Sequence, residues 1–275
     1  MAANEMTTPS LKDRIIVIKG AGELATGVAC RLYHANFRRI LMLETSAPLA
    51  VRRQVSFCEA IHEQTMMVEG IEAVRIDKGT GLFTAWRNGK IAVRVDPKAE
   101  SLYHDKPDVF IDATLAKRNL GTCITDAPLV IALGPGFVAD KDAHVVIETN
   151  RGHDLGRLIL AGAAEANTGD PGNIGGYTKE RVIRSPADGV FTVEKKIGDS
   201  VTKGDLIGRV GSTAVIAPLD GMLRGLIRPD SSVTTGLKIG DIDPRNEVSY
   251  CDTISEKARA LGGAVLEAIL SYYNR

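Results

Sequence analysis

The hydrophobic pattern changes period twice within the first 44 residues. Residues 14–19 form a β-branched run, which predicts a strand, and a glycine-rich segment follows at residues 20–27. Between residues 23 and 36 the apolar side chains fall in two adjacent i,i+4 rows, which predicts a helix, and residues 40–43 predict a second strand. This order of strand, glycine turn, helix and strand is typical of a dinucleotide-binding βαβ unit.

The βαβ pattern assigns a role to its glycine and polar positions. Glycines let the backbone approach a pyrophosphate, the first helical turn supplies N–H groups, and a carboxylate after the second strand accepts hydrogen bonds from a ribose. Ala25 replaces the third glycine of the pattern, and Glu23 repels an anion unless it points away or Lys19 offsets its charge. A turn that only packs the helix on the strand is the alternative. The predicted cofactor contacts in this unit are Gly20, Gly22, Glu23, Leu24, Ala25 and Glu44.

Four more apolar runs follow, and with the first two they predict about six strands. They lie at residues 91–95, 109–112, 129–133 and 145–148. Near-continuous apolar runs suit a parallel sheet that is buried on both faces, so we expect an α/β fold with a Rossmann-like parallel sheet. Residues 71–77 and 82–87 are predicted to be helical, and residues 55–61 and 65–68 to be extended.

Polar residues concentrate in the loops after the predicted strands, where sheets of this kind bind ligands. Arg52 is predicted to bind a phosphate or carboxylate group. The equal alternative is that Arg52 belongs to a solvent-exposed basic turn that binds no ligand. Two later loops are predicted to border the same edge as Gly20, against the alternative of ordinary solvated loops. His153 and Cys58 are weak candidates for catalysis. These loops add Lys117, Arg118, Asn119, Asn150 and Arg151 to the predicted cofactor contacts.

The second half of the chain contains an internal repeat. Residues 186–189 match residues 218–221, which lie 32 positions later, and Gly204 matches Gly236 in the same register. The repeat resembles the barrel-sandwich hybrid of biotinyl and lipoyl carrier domains, but residues 210–214, which join its halves, include no lysine. We therefore expect neither biotin nor lipoate. The expected domains are a Rossmann-like nucleotide-binding domain at residues 1–168, a small all-β domain at residues 177–248, and a C-terminal helix at residues 249–275 that packs on the first domain or a dimer partner.

Composition narrows the classes of function. Lys and Arg number 34 and so do Asp and Glu, so no net charge draws the chain to nucleic acid or to an anionic membrane. No apolar run reaches about 18 residues and the N-terminus is polar, which predicts a cytoplasmic protein. The four cysteines are far apart and show no metal-ligand spacing, so neither disulfides nor a metal site are expected.

Five motifs are spread over nearly the whole chain: KGAGELATG (residues 19–27), AKRN (116–119), ALGPGF (132–137), ETNRGH (148–153) and KIGDIDPR (238–245). They resemble the YqeB-type selenium-dependent molybdenum hydroxylase system proteins. The resemblance implies a maturation protein, related in role to XdhC-type factors, that binds an NAD-like dinucleotide or a molybdopterin dinucleotide and contacts a molybdenum hydroxylase client. The alternatives are an NAD-dependent oxidoreductase acting on a selenium or sulfur intermediate and a non-catalytic scaffold. A homo-oligomer is compatible with all three.

Overall fold

The computed structural model describes residues 10–77 and 79–274. The polar N-terminal residues 1–9, on which the expectation of a cytoplasmic protein rests in part, lie outside the described residues. Within the described part of the chain, every helix is too short or too polar to cross a bilayer.

The first half of the chain is built around a nine-stranded sheet in the order β10-β9-β7-β6-β1-β2-β5-β4-β3. Strands β8 and β11 form a separate two-stranded sheet beside it. The strand bounds are β1 (Ile15–Lys19), β2 (Arg39–Glu44), β3 (Thr65–Val68), β4 (Ile71–Ile76), β5 (Ile91–Val95), β6 (Val109–Asp112), β7 (Leu129–Leu133), β8 (Val138–Ala139), β9 (Val145–Ile147), β10 (Leu158–Ile159) and β11 (Gly162–Ala163).

The expected Rossmann-like parallel sheet of six strands is corrected, because the sheet has nine strands and is mixed. The pair β3/β4 and the pair β9/β10 are antiparallel, whereas the strands between them pair in parallel. A two-residue turn of Glu69 and Gly70, both at positive φ, joins β3 to β4 and forces them to run antiparallel. The helix predicted at residues 71–77 is therefore wrong, and so is the extended stretch at residues 55–61, which forms helical turns instead.

Two long helices pack closely on one face of this sheet. The helices are α1 (Glu23–His34), α2 (Ala60–Glu63), α3 (Leu82–Arg87), α4 (Leu102–Asp105) and α5 (Glu256–Tyr273). A Cβ atom on Gly27 of α1 would lie 2.6 Å from the Ala258 Cβ of α5, and one on Gly262 would lie 2.8 Å from the Arg31 Cβ. The two glycines thus allow the backbones of α1 and α5 to approach closely. Apolar residues of α5 belong to the same buried core as those of α1 and the sheet.

The second half of the chain forms two four-stranded antiparallel sheets around one apolar core. Their orders are β12-β19-β17-β14 and β16-β15-β13-β18. The bounds are β12 (Val182–Arg184), β13 (Gly189–Val193), β14 (Ser200–Val201), β15 (Leu206–Val210), β16 (Thr213–Ile216), β17 (Gly221–Leu226), β18 (Ser231–Val233) and β19 (Lys238–Asp243).

Each of these two sheets takes both of its edge strands from the other copy of the sequence repeat. Strand β12 of the first copy pairs with β19 of the second, and β16 of the second copy pairs with β15 of the first. Strand β14 of the first copy pairs with β17 of the second, and β18 of the second copy pairs with β13 of the first. The expectation of a carrier-type barrel-sandwich-hybrid domain is corrected, because the strand hydrogen bonds among the described residues leave two open sheets with edge strands. The domain limits at residues 168, 177 and 248 stay predictions.

Candidate functional site

A cleft of about 470 Å³ opens at the carboxyl ends of β1, β2 and β6. The chain reverses its direction of progress across the sheet at β1, with β2 and β5 on one side and β6 and β7 on the other. A crevice at such a switch point is where open α/β sheets bind ligands. Backbone from three segments lines it: the turn after β1, the end of β2, and the loop after β6.

The turn after β1 depends on glycine at two positions for different reasons. Gly20 has φ +99, and a Cβ atom there would lie 3.0 Å from the Ala113 carbonyl oxygen, so both the backbone angle and the close packing favour glycine. Gly22 has φ −71 and is the N-cap of α1, and a Cβ atom there would have no neighbour within 4 Å. Packing and conformation therefore do not explain the glycine at position 22, where a side chain would point into the cleft.

Glu44, at the end of β2, is fixed in the wall of the cleft. Its Oε2 accepts a hydrogen bond of 2.9 Å from the Ala21 N–H, and its Oε1 accepts one of 2.8 Å from the Thr45 N–H. Each carboxylate oxygen keeps a free lone pair for a further donor. The predicted ribose acceptor thus lies beside the glycine turn, and these two hydrogen bonds hold its carboxylate in one orientation.

Lys19, which was not among the predicted contacts, lies at the floor of the cleft. Its side chain is 4% exposed, its Nζ lies 3.8 Å from Asp112 Oδ2, and it donates to the Leu120 carbonyl oxygen at 3.1 Å. Thr114 and Thr122 donate to the Asp112 carboxylate, which is fully buried. The sequence signal was present, since Lys19 and Asp112 each end an apolar run and those runs became adjacent strands.

Glu23 and Arg52 form an ion pair that accounts for the acidic residue beside the helix N-terminus. Arg52 Nη1 lies 3.1 Å from Glu23 Oε1, and Arg52 Nη2 donates to the carbonyl oxygens of Tyr250 and Thr253 at 2.7 and 2.9 Å. Burial lowers the pKa of Arg52, and the charge of Glu23 opposes that shift. Arg52 therefore neutralises Glu23 and ties the turn after β2 to the segment before α5, instead of projecting into the cleft.

The predicted contacts in the loop after β6 lie at the outer rim of the cleft. Lys117 and Arg118 are exposed, and Asn119 holds the loop together by donating to the Thr122 carbonyl oxygen at 2.8 Å and accepting from the Gly121 and Thr122 N–H groups. A Cβ atom on Gly136 would lie 2.6 Å from the Arg118 Cα, so the loops after β6 and β7 pack together here.

Asn150, Arg151 and His153 lie in the loop after β9, and none of them is among the described residues that line the cleft. Asn150 Nδ2 donates to Glu165 Oε2 at 2.6 Å, and Arg151 pairs with Glu256 at the start of α5. His153 is exposed in a turn. The predicted edge of the sheet is correct for this loop, but β9 lies two strands beyond β6 and three from β1 at the switch point.

Cys58 reaches the cleft wall as a protonated thiol. Its backbone N–H donates to the Ala21 carbonyl oxygen at 2.8 Å, which anchors the glycine turn. Burial raises the pKa of the Cys58 thiol well above its usual range, and the charges of Glu44 and Glu59 raise it further. A thiol held protonated in this way is a poor nucleophile. Within residues 10–77 and 79–274, no group of three or more His, Cys, Asp or Glu side chains is placed to hold a metal ion.

Comparison with known sequences relates the chain to one curated protein, and no protein-family model matches it. The relative is described as "Uncharacterized protein YqeB" from Escherichia coli (strain K12) and is 49% identical over 257 residues. The match covers 94% of this chain and 47% of the relative, so the chain spans about half the length of that protein. The identity makes the chain similar to a part of YqeB and says nothing about activity.

Solved structures give only distant matches. An aspartoacylase family protein from Mesorhizobium loti is 13% identical, with 74% of this chain and 55% of that chain covered and a TM-score of 0.23. A succinylglutamate desuccinylase/aspartoacylase from Rhodobacter sphaeroides is 12% identical, with 86% and 87% covered and a TM-score of 0.28. TM-scores this low transfer neither a fold nor an activity to this chain.

The expected role in molybdenum hydroxylase maturation is corrected, together with its oxidoreductase and scaffold alternatives. The YqeB relative is described as uncharacterized, so the comparison that names this family gives no role in molybdenum hydroxylase maturation. The predicted cofactor contacts and the expected dinucleotide ligand stay predictions.

Proposed function

We propose that this YqeB-like chain binds an NAD-like dinucleotide in the cleft at the switch point. The pyrophosphate lies against the N-terminus of α1, and Glu44 accepts hydrogen bonds from a ribose diol. The cleft volume of about 470 Å³ lies within the range of small-molecule sites, roughly 300–1,000 Å³.

The observation that carries the proposal is the open space at Gly22. A residue with φ −71 and no packing neighbour within 4 Å has no structural need to be glycine. The N–H groups of the first turn of α1 have no acceptor within the helix, and the positive end of the helix dipole points the same way. A glycine here lets an anionic group reach those donors, which is the arrangement that binds pyrophosphate in dinucleotide sites.

The charges around the cleft support the same ligand. Glu23 would repel a phosphate, but its carboxylate is paired with Arg52 at 3.1 Å. Glu44 supports NAD over NADP, because its carboxylate would repel a 2′-phosphate on the ribose that it contacts. Lys19 adds a cation beneath the turn, and Asp112 compensates it, so the backbone N–H groups supply most of the attraction.

Isothermal titration calorimetry with NAD⁺ and NADP⁺ tests the proposal. The wild-type protein should bind NAD⁺ more tightly than NADP⁺, and Gly22→Asp should weaken NAD⁺ binding by about tenfold or more, or 1.4 kcal/mol, because it places a carboxylate where the pyrophosphate lies. Asp is a favoured N-cap residue, so this variant should fold and have a Tm at least as high as that of the wild-type protein.

Gly263→Asp is the matched control. Gly263 also has no neighbour within 4 Å of a built Cβ atom, but it lies in α5, away from the cleft. It should bind NAD⁺ as the wild-type protein does. Absence of NAD⁺ binding by the wild-type protein, or equal binding by Gly22→Asp, would refute the proposal.

A further inference from the structure

A second cavity, of about 580 Å³, lies between the sheet of β17 and β19 and the N-terminus of α5. We call it the arginine cavity. Four arginines and a single carboxylate line it: Arg52, Arg224, Arg245, Arg259 and Glu256. Guanidinium groups present planar forks of N–H donors that match phosphate and carboxylate oxygens.

Buried carboxylates beneath the arginine cavity are too few for the cations around them. Asp241 pairs with Arg181 and Arg224, and Lys238 Nζ lies 3.7 Å from the same carboxylate. Asp243 accepts from Arg224 at 3.0 Å and from Arg245 Nε at 2.9 Å. Two carboxylates are thus shared by four cations, which leaves an excess of positive charge at the cavity wall.

Arg52 is paired with Glu23, but one of its buried nitrogens has no partner within the described part of the chain. It is 5% exposed, and its Nε is buried with no hydrogen-bond partner among the described residues. Its Nη1 shares the charge of Glu23, and its Nη2 is bonded to two carbonyl oxygens, which carry no net charge. Arg52 and Arg224 are held in place by burial, so they are oriented before any ligand arrives.

The N-terminus of α5 opens onto the same cavity. Ser255 is the N-cap, and its side chain accepts from the Ala258 N–H at 3.4 Å. The Lys257 N–H has no acceptor within the helix, whereas the Glu256 N–H is hydrogen-bonded to its own carboxylate. The Glu256 carboxylate pairs with Arg151, so its charge is compensated. Burial and then the charge of Arg151 lower the pKa of Lys257, while the charges of Glu23 and Glu148 oppose the shift.

We propose that the arginine cavity binds a phosphate group, either as inorganic phosphate or as part of a phosphate monoester. Among the described residues, the ion pairs around the cavity join seven cations to five carboxylates, and the excess of two suits a dianion better than a carboxylate. The cations are Arg52, Arg151, Arg181, Arg224, Lys238, Arg245 and Arg259, and the carboxylates are Glu23, Glu69, Asp241, Asp243 and Glu256. The preformed forks and the N-terminus of α5 supply enough donors for the oxygens of one phosphate. The site is separate from the cleft of the proposed function and does not depend on it.

Thermal unfolding with added anions tests the proposal. At constant ionic strength, inorganic phosphate should raise the Tm of the wild-type protein in a saturable way, since a ligand that binds only the folded state stabilises it. Glycerol phosphate should also raise the Tm if the cavity admits a monoester. If the cavity admits only the free ion, inorganic phosphate should raise the Tm and glycerol phosphate should not. Acetate should have no effect. A Tm that phosphate raises no more than sodium chloride does would overturn the proposal.

Variants at the rim locate the site. Arg245→Gln and Arg259→Gln should each weaken phosphate binding by about tenfold, because each removes a charged donor. They are chosen because Arg52 and Arg224 are buried and their loss would disturb folding. Arg209→Gln, an exposed arginine on β15, is the matched control and should bind phosphate normally. Unchanged affinity in both rim variants, or loss of phosphate binding in Gly22→Asp, would contradict the assignment to this cavity.

Discussion

The cleft and the arginine cavity lie on opposite sides of the Arg52–Glu23 ion pair and attract anions by different means. In the cleft, Lys19 is compensated by Asp112, and the donors are mainly backbone N–H groups. In the arginine cavity, side-chain cations outnumber the buried carboxylates. The difference teaches that an arginine close to the glycine turn in sequence, such as Arg52, need not face the cleft at that turn.

The two regions also differ in what their charged groups do for the fold. The Lys19–Asp112 pair is long, at 3.8 Å, and Asp112 has other donors. The ion-pair network of Arg224 is buried, and the charges of its carboxylates, Asp241 and Asp243, are compensated by the surrounding cations. Breaking the network should therefore cost more stability than breaking the pair.

The largest effect is expected from Arg224→Met. Removal of this guanidinium leaves Asp241 and Asp243 buried with fewer partners, which should lower the free energy of unfolding by about 3–5 kcal/mol. Urea unfolding followed by circular dichroism measures it. Arg209→Met, at an exposed position on β15, should change it by less than about 0.5 kcal/mol. A loss for Arg224→Met as small as that of the control would mean that the network contributes nothing.

A smaller loss, of about 2 kcal/mol, is expected from Lys19→Met in the cleft. Asp112 loses its cation but keeps the hydrogen bonds from Thr114 and Thr122. Lys90→Met is the control, because the Lys90–Glu72 pair is about one-third exposed and should contribute under about 1 kcal/mol. If Lys19→Met destabilised the protein more than Arg224→Met did, the ranking of the two regions would be reversed.

The smallest effect is a graded loss of stability in acid. Burial raises the pKa of Asp241 and Asp243, but the nearby cations outweigh it, so both pKa values lie below the ordinary value of 3.8. Carboxylates with a lowered pKa in the folded state stabilise it above pH 3.8, and this contribution is lost as the pH falls through the folded-state pKa values. Each extra proton bound by the unfolded state changes the free energy of unfolding by about 1.4 kcal/mol per pH unit.

Urea unfolding between pH 6 and pH 3 follows this loss. Arg224→Met should show a weaker pH dependence in that window, because one of the cations that lowers both pKa values is missing. Identical slopes in the two proteins would contradict the link between the network and acid stability.

The local pattern predicted the βαβ unit well and failed where long-range contacts decide. Strand β1, helix α1, strand β2 and the position of Glu44 follow from hydrophobic period and glycines near each other in sequence. The sequence could not show how Arg52 is held, because its hydrogen-bond partners Tyr250 and Thr253 lie some 200 positions later, where no local pattern reveals them. Strand β4 was taken for a helix because IEAVRI fits either period over so few residues.

The exchange of edge strands between the two copies of the repeat has a consequence for how this half of the chain can be divided. A cut between the copies, in the turn at residues 211–212, would leave each fragment without two strands of its sheet. The first fragment would lack β16 and β18, and the second would lack β12 and β14. Neither fragment could complete the shared core alone, although the two together could still assemble. The two copies of the repeat therefore form a single cooperative unit. The duplication can be recognised in the sequence, but neither copy folds independently of the other.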